Sequence, residues 1–596
     1  MGIGAVLLAL LIVGGAFVVN LVWFRPFSIN LFYERVFIEH VLRDPELLTN
    51  LRILEPLGLD FHSDDLTDAS PDYARELLAK AKDDLATLNS YDRDKQTPEQ
   101  LLSTDILGWF LQDSVQAEPF LFYNYPVNQL FGMQSELPDF MATQHLIFDT
   151  GDAEAYLARL RKFPRKFGQV IEGLRLREEM GIVPPRFVID RVIDQMEGFR
   201  ATAAEQNILY TAFEEKLEAI DGLPAPERAP LVEACRAAIE EAVYPAYDTL
   251  LAYLRELAPK ATTDDGVWKF PNGDAFYAYA LRSQTTSDYT PAEVNNIGLA
   301  ETARVQAEME AILAGLGRVE GTVAERMAAL AKDPQYLYAN TDEGRAACIA
   351  EYQAIIDEVD AGMSEVFDLR PAVGVEVEPI PAFKEKTAPG AYYQPPSLDG
   401  ARPGVFYANL RDMAEIPQWG MRTLAFHEAI PGHHFQIAIQ QQIEGPTFRK
   451  VLPFTAYIEG WALYAEQLAF ERGFHPTPES NLGRLQAELF RAVRLVVDTG
   501  IHHKRWTREE AIAYMNENTG MPEGDVVAEI ERYIVMPGQA CTYKIGQLKI
   551  LELRERARTA LGDRFDLKAF HNVMLANGAM PLEILDQVVD RWIGAQ

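Results

Sequence analysis

The sequence predicts a mainly α-helical protein with one small β-sheet, and three observations carry that expectation. Apolar residues recur at helical spacing through most of the 596 residues. One segment, Arg370 to Leu410, departs from this, being rich in Pro, Gly, Val and Tyr and alternating like strand. Hydrophobic residues make up 48% and charged residues 24%, the balance of a globular chain long enough to bury a large core.

From Gly2 to Phe24 every residue is apolar or Gly except Asn20. A bilayer span needs about 20 such residues. No Lys or Arg precedes the run and no A-x-A cleavage site follows it, which disfavours a removable signal peptide. No cysteine lies near, which argues against lipoprotein processing. We expect residues 1–27 to be an uncleaved anchor or signal segment, the only contact with membrane. The body, 28–596, would lie outside the cytoplasm, periplasmic or at the cell surface, with room for two lobes, 28–265 and 266–596.

Within the body, Pro71 to Leu88, Ala153 to Lys162, Pro185 to Asn207 and Leu231 to Leu257 read as amphipathic helices. Thr290-Pro291-Ala292-Glu293 starts another that runs towards Leu316, with Thr as N-cap and Pro at the first helical position. Asp342 to Phe367 is a further long helix. Val375 to Ile380, Ala391 to Gln394 and Gly404 to Leu410 read as strands. An edge of this sheet can pair with an extended peptide, or serve packing alone, and Tyr407 on the third strand is a substrate-binding candidate.

Chemistry concentrates in His427-Glu428-Ala429-Ile430-Pro431-Gly432-His433-His434, which holds three of the ten histidines. Neutral imidazoles and a carboxylate are the ligands of a catalytic zinc site. A glutamate beside the first histidine is placed to serve as general base. The usual zinc helix carries its histidines at i and i+4. Here the second is six or seven residues on. Six steps turn an ideal helix by about 600°, to the wrong face, and seven rise by about 10.5 Å, a long reach for metal bonds of about 2 Å. Pro431 and Gly432 must therefore distort the helix. His433, needing the smaller distortion, is favoured as second ligand, with His434 as the alternative.

Glu459 opens a later helical pattern and is the candidate third ligand; Glu466, seven residues on, shares its face and can hydrogen-bond a ligating histidine or form a surface ion pair. Asp498 and His502 stand at i, i+4, so the carboxylate can orient the imidazole. Arg494 and Arg491, one and two turns earlier, suit a carboxylate held in a fork, or ordinary interior salt bridges. Tyr543, after the Pro537-Gly538 turn, can donate to a developing oxyanion.

The formal charge of −33 argues against a nucleic-acid partner, which calls for basic stripes. Cys235, Cys348 and Cys541 are odd in number and far apart, so no disulfide framework is expected.

These residues resemble a known group. His-Glu-Ala-x-Pro-Gly-His at His427, Glu-Gly-Trp-Ala-Leu-Tyr at Glu459, Asp-x-Gly-x-His at Asp498 and Pro-Gly-Gln-Ala-x-x-Tyr at Pro537 together resemble the bacterial domain-of-unknown-function family DUF885. Weaker similarity, including Leu137-Pro138-Asp139-Phe140 and Gly181-Ile182-Val183-Pro184-Pro185, extends it from about Asn30 to the C-terminus. That family is similar to gluzincin metallopeptidases. The resemblance implies a large helical fold with a deep cleft, zinc held by His427, His433 and Glu459, Glu428 as base, and His502 and Tyr543 as transition-state donors. We therefore expect a zinc peptidase acting on short peptides. A metal-dependent amidase or esterase and an inactive anchored binding protein are the alternatives.

Overall fold

The structure is a computed structural model that describes residues 15, 17, 19–380, 385 and 388–596. Most of the expected anchor, 1–14, 16 and 18, lies outside the described residues. Among those described, no helix is long and apolar enough to cross a membrane.

The fold is mainly α with one three-stranded sheet, as the patterning predicts. Its early helices are α1 (Ile29–Val41), α2 (Pro71–Asn89), α3 (Pro98–Gln116), α4 (Thr150–Glu179) and α5 (Arg186–Ala201). The pattern at 231–257 resolves into α6 (Ala225–Ala238) and α7 (Tyr244–Leu257), joined by a π turn at Ile239–Val243. Helix α8 (Pro291–Gly315) starts as expected: Thr290 accepts from the Glu293 N–H and Glu293 accepts from the Thr290 N–H, a complete capping box. Helix α9 (Asp342–Gly362) precedes the sheet.

The sheet comprises β1 (Val375–Pro379), β2 (Ala391–Gln394) and β3 (Gly404–Ala408) in the order β1-β3-β2. Strand β3 runs parallel to β1, with Val377 opposite Phe406, and antiparallel to β2, with Tyr392 opposite Tyr407. Alternation sends Phe406 into the core against Tyr352 of α9, ring centroids 5.0 Å apart. Tyr407 faces the other way and packs on Tyr392.

Six further helices build the site: α10 (Gln418–Glu428), α11 (His433–Gln442), α12 (Thr455–Glu471), α13 (Pro478–His502), α14 (Glu523–Val535) and α15 (Thr542–Leu561). Helix α13 is the central one, buried on every side from Ala492 to His502. Helix α8 lies close against it, since a Cβ on Gly298 would fall 2.7 Å from Leu495 Cβ.

Apolar packing crosses the 265/266 line. Residues between Val127 and Ala258 form a core with Leu66. Helices α1 to α3 instead pack with the C-terminal half, where Phe32, Tyr33 and Ile106 join Trp461, Tyr464 and Leu585 in one cluster.

Candidate metal centre

Helix α10 ends at Glu428, and Ala429 leaves helical geometry. The Ile430–Pro431 peptide is cis, Gly432 follows, and α11 begins at His433. The expected distortion is thus a full break between two helices rather than a bulge within one. Pro431 supplies no N–H to continue the ladder. Gly432 lies so close to the previous helix end that a Cβ would sit 1.9 Å from the His427 carbonyl oxygen, so only glycine fits. The break leaves the Pro431 carbonyl in the interior, where the Trp461 indole N–H donates to it at 2.8 Å.

This geometry separates the two candidate histidines. His433 turns its Nε2 to Glu459, 3.2 Å from Oε2. His434 turns away: its Nε2–H donates to the Val373 carbonyl at 3.1 Å, and its Nδ1 accepts from the Tyr393 hydroxyl at 3.0 Å. Burial holds the His434 imidazole down at about 4, so it is neutral with both nitrogens in use. The same contact requires glycine at 404, where a Cβ would lie 2.8 Å from His434 Nδ1.

His427 Nε2 lies 3.5 Å from the same Glu459 oxygen, and the two imidazoles meet edge to face, centroids 4.7 Å apart. Ligand atoms of His427, His433 and Glu459 all fall within 4.8 Å of one another, the one such group among the described residues. His427 Nδ1 is 2.8 Å from buried Glu466 Oε1. That bond puts a proton on Nδ1 and turns Nε2 to Glu459, where a metal ion would take the place of the ring's second proton. Among the described residues, Glu459 Oε2 is buried without a hydrogen-bond partner. Two acceptors aimed at each other in a buried space fit a cation between them.

The electrostatics agree. Burial pulls the His427 imidazole down, but Glu459 and Glu466 more than offset it and hold it at about 9. Burial pushes the Glu459 carboxyl up, yet His433 and His427 drive it well below the usual carboxylate range. Each shift is the other group's charge at work: the carboxylates favour a proton on His427, and the imidazoles keep Glu459 ionised. Glu428 is buried at the end of α10, and among the described residues no hydrogen bond or ion pair engages its carboxylate.

Helices α12 and α15 cross in backbone contact at Gly460 and Gly546: a Cβ on Gly460 would lie 2.4 Å from the Gly546 carbonyl carbon. The crossing brings Tyr543 beside the centre, its ring nearly parallel to that of His427 at 6.4 Å. Burial, then the Glu459 charge, push the Tyr543 hydroxyl up, so it stays protonated and able to donate.

Three expected roles are corrected. His502 is not a free transition-state donor: its Nδ1 accepts from the Val267 N–H at 3.2 Å and its Nε2–H donates to the Tyr533 carbonyl at 3.0 Å. Asp498 does not orient it. The carboxylate accepts from the Tyr277 hydroxyl at 2.6 Å and the Gly538 N–H at 3.1 Å, which pins the turn leading to Tyr543. Arg494 is not an open fork for a carboxylate: its guanidinium donates to Tyr533 and Glu529 at 2.8 and 2.9 Å, which leaves only its buried Nη1 without a partner among the described residues. Helical spacing cannot reveal these partners, which come from other elements.

A cavity of about 270 Å³ opens beside His427, with Glu466, Trp419, Leu424, Phe490 and Arg491 in its wall. Tyr407 is not among the residues that line it. Trp461, Tyr393 and the Gly460–Gly546 pair are site residues whose roles the sequence did not give. A Gly or Trp directly beside a ligand is the only hint it offers.

A family profile of bacterial proteins of unknown function matches residues 53–589. This chain belongs to the DUF885 family. The family carries no assigned activity, and no curated protein matches the chain. Among solved structures, the crystal structure of a "putative lipoprotein" from Colwellia psychrerythraea is 37% identical, with a TM-score of 0.92 over 95% of this chain and 98% of that one. A "putative lipoprotein" of unknown function from Shewanella oneidensis is 18% identical, with a TM-score of 0.70 over 94% of this chain and 99% of that one, a likeness of fold.

Proposed function

We propose that the protein is a zinc-dependent peptidase related to the gluzincins and acting on short peptides. The observation that carries this is Glu459 Oε2, buried without a hydrogen-bond partner and facing the Nε2 atoms of His427 and His433. These three side chains would hold the ion. Two imidazoles and a carboxylate leave a fourth position open, and zinc bound so acts as a Lewis acid that acidifies water and polarises a carbonyl.

The chain's own residues then have distinct tasks. Glu428 takes the proton of the attacking water and passes it to the leaving amine. Tyr543 donates a hydrogen bond to the oxygen that gains charge. Glu466 fixes the His427 tautomer, which keeps the Nε2 lone pair available.

For location, the name of the Colwellia psychrerythraea relative, a "putative lipoprotein", supports a membrane-attached body. We assign attachment to the apolar N-terminal segment.

The test is metal content and turnover of the full chain, its His427→Ala variant and its Glu428→Gln variant, on peptides, small amides and esters. We expect about one zinc per chain, lost in H427A and kept in E428Q, with peptide cleavage at least about 100-fold lower in E428Q. Full activity in E428Q would remove Glu428 as the base. Cleavage of small amides or esters but not peptides would change the substrate class.

A further inference from the structure

Arg491 is the feature of the cavity that the proposed chemistry leaves unused. On a chain of net charge −33, nearby arginines are matched to acids. Arg484 pairs with Glu488, Arg494 and Arg532 with Glu529, and Arg411 with Glu415 and Asp525. Arg491 is half-buried, and among the described residues no carboxylate pairs with it. Its Nη1 donates to the Ala487 carbonyl of its own helix at 3.3 Å, its guanidinium carbon stands 5.2 Å from the Phe490 ring centre, and its Nε is buried with no hydrogen-bond partner among the described residues. Taking an arginine from water without a counter-charge is costly, so the position fits an anion supplied from outside.

Its surroundings say which anion. Arg491 and His427 line the same cavity, and the Arg491 guanidinium carbon stands 6.0 Å from the Tyr543 ring that lies beside His427. The other charged groups in the wall are engaged. Glu466 binds His427, and Arg411 binds Glu415 and Asp525. The rest is largely apolar, with Ile416, Trp419, Leu424, Phe490 and Met521. At about 270 Å³ the cavity falls just below the usual range of ligand pockets, roughly 300–1,000 Å³. That size suits the end of a chain rather than its middle.

We propose that this cavity receives the C-terminal end of a peptide, with Arg491 gripping the free α-carboxylate and the apolar wall taking an apolar side chain beside it. The inference rests on the peptidase reading and narrows it to cleavage close to a free C-terminus. A planar guanidinium matches a carboxylate with two parallel hydrogen bonds, which an amidated terminus cannot reciprocate.

The experiment compares one short peptide ending in Leu as the free acid and as the amide. Binding is measured by calorimetry on the full-length Glu428→Gln protein, alone and combined with Arg491→Ala or Arg491→Lys. Turnover is measured with the wild type. We expect the acid to bind at least about 10-fold more tightly than the amide, because the charged hydrogen bonds to Arg491 need a carboxylate. The preference should collapse in R491A and return in part in R491K. Equal binding of acid and amide, no binding of either, or a preference that survives R491A would overturn the proposal. Bound acid that the metal-loaded wild type does not cleave would instead defeat the peptidase reading and leave the carboxylate site standing.

Discussion

His427 Nδ1 and Glu466 Oε1 meet at 2.8 Å in the interior, seven residues along α12 from the Glu459 that faces the other nitrogen of the same ring. One helix therefore supplies both the group that would share a metal with His427 and the group that decides which His427 nitrogen is free to bind it. A ligating imidazole usually depends on such a partner for orientation and basicity.

Removing that partner tests the arrangement. Glu466→Ala should weaken zinc binding about 10- to 100-fold, with the fold retained. Competition against a chelator of known affinity measures it, and unchanged affinity would mean that Glu466 is only an interior packing group.

The two adjacent histidines should behave in opposite ways. His433→Ala removes a ligand and should abolish stoichiometric metal. His434→Ala should keep the metal and lower stability by about 1–3 kcal/mol, since it strands the Tyr393 hydroxyl and the Val373 carbonyl. Metal analysis and urea denaturation on both variants give the answer; metal lost from H434A alone would reverse the assignment.

Gly460→Ala should be far more disruptive than an ordinary helix substitution, where alanine is favoured by about 1 kcal/mol. Its Cβ would fall 2.4 Å from backbone of α15, so the helices must separate and carry Glu459 away from Tyr543. We expect a net loss of about 1–3 kcal/mol and weaker metal binding together. A variant as stable as the parent would show that the crossing is not close-packed.

Asp498 predicts a pH dependence. Burial raises its carboxyl to about 7, above the unfolded value of about 3.9, despite hydrogen bonds from Tyr277 and Gly538 that favour the charge. The folded state thus holds the extra proton between these values. Stability from this group is full below about pH 4 and is lost as pH rises through about 7. Asp498→Asn does not titrate. Relative to wild type it should therefore gain stability from pH 4 to pH 8, by a few kcal/mol at about 1.4 kcal/mol per unit. Denaturation of both proteins across that range measures it, and a constant difference would refute the shift.

Much of this was legible in the chain because the signals are local. Helical periodicity gave α2, α8 and α9, alternation gave the three strands within two residues, and Thr290 with Glu293 gave a helix start that the structure closes as a capping box. His427 and Glu459 stood out as candidate ligands by residue type and spacing, with His433 favoured over His434, and the fold brings His427, His433 and Glu459 together.

Spacing could not say which neighbour a side chain would meet. Arg491 and Arg494 are three apart on one helix, yet Glu529 of α14 takes Arg494 and leaves Arg491 without an acid. Asp498 and His502 are ideally spaced to pair, yet Tyr277 and the backbone of other segments claim them first. The sequence by itself determined the classes of element and the inventory of chemical groups, since both follow from local periodicity and residue type. Only the tertiary structure decided the partners, because hydrogen bonds and ion pairs in a packed interior go to whichever group the crossing of distant helices brings within about 3 Å.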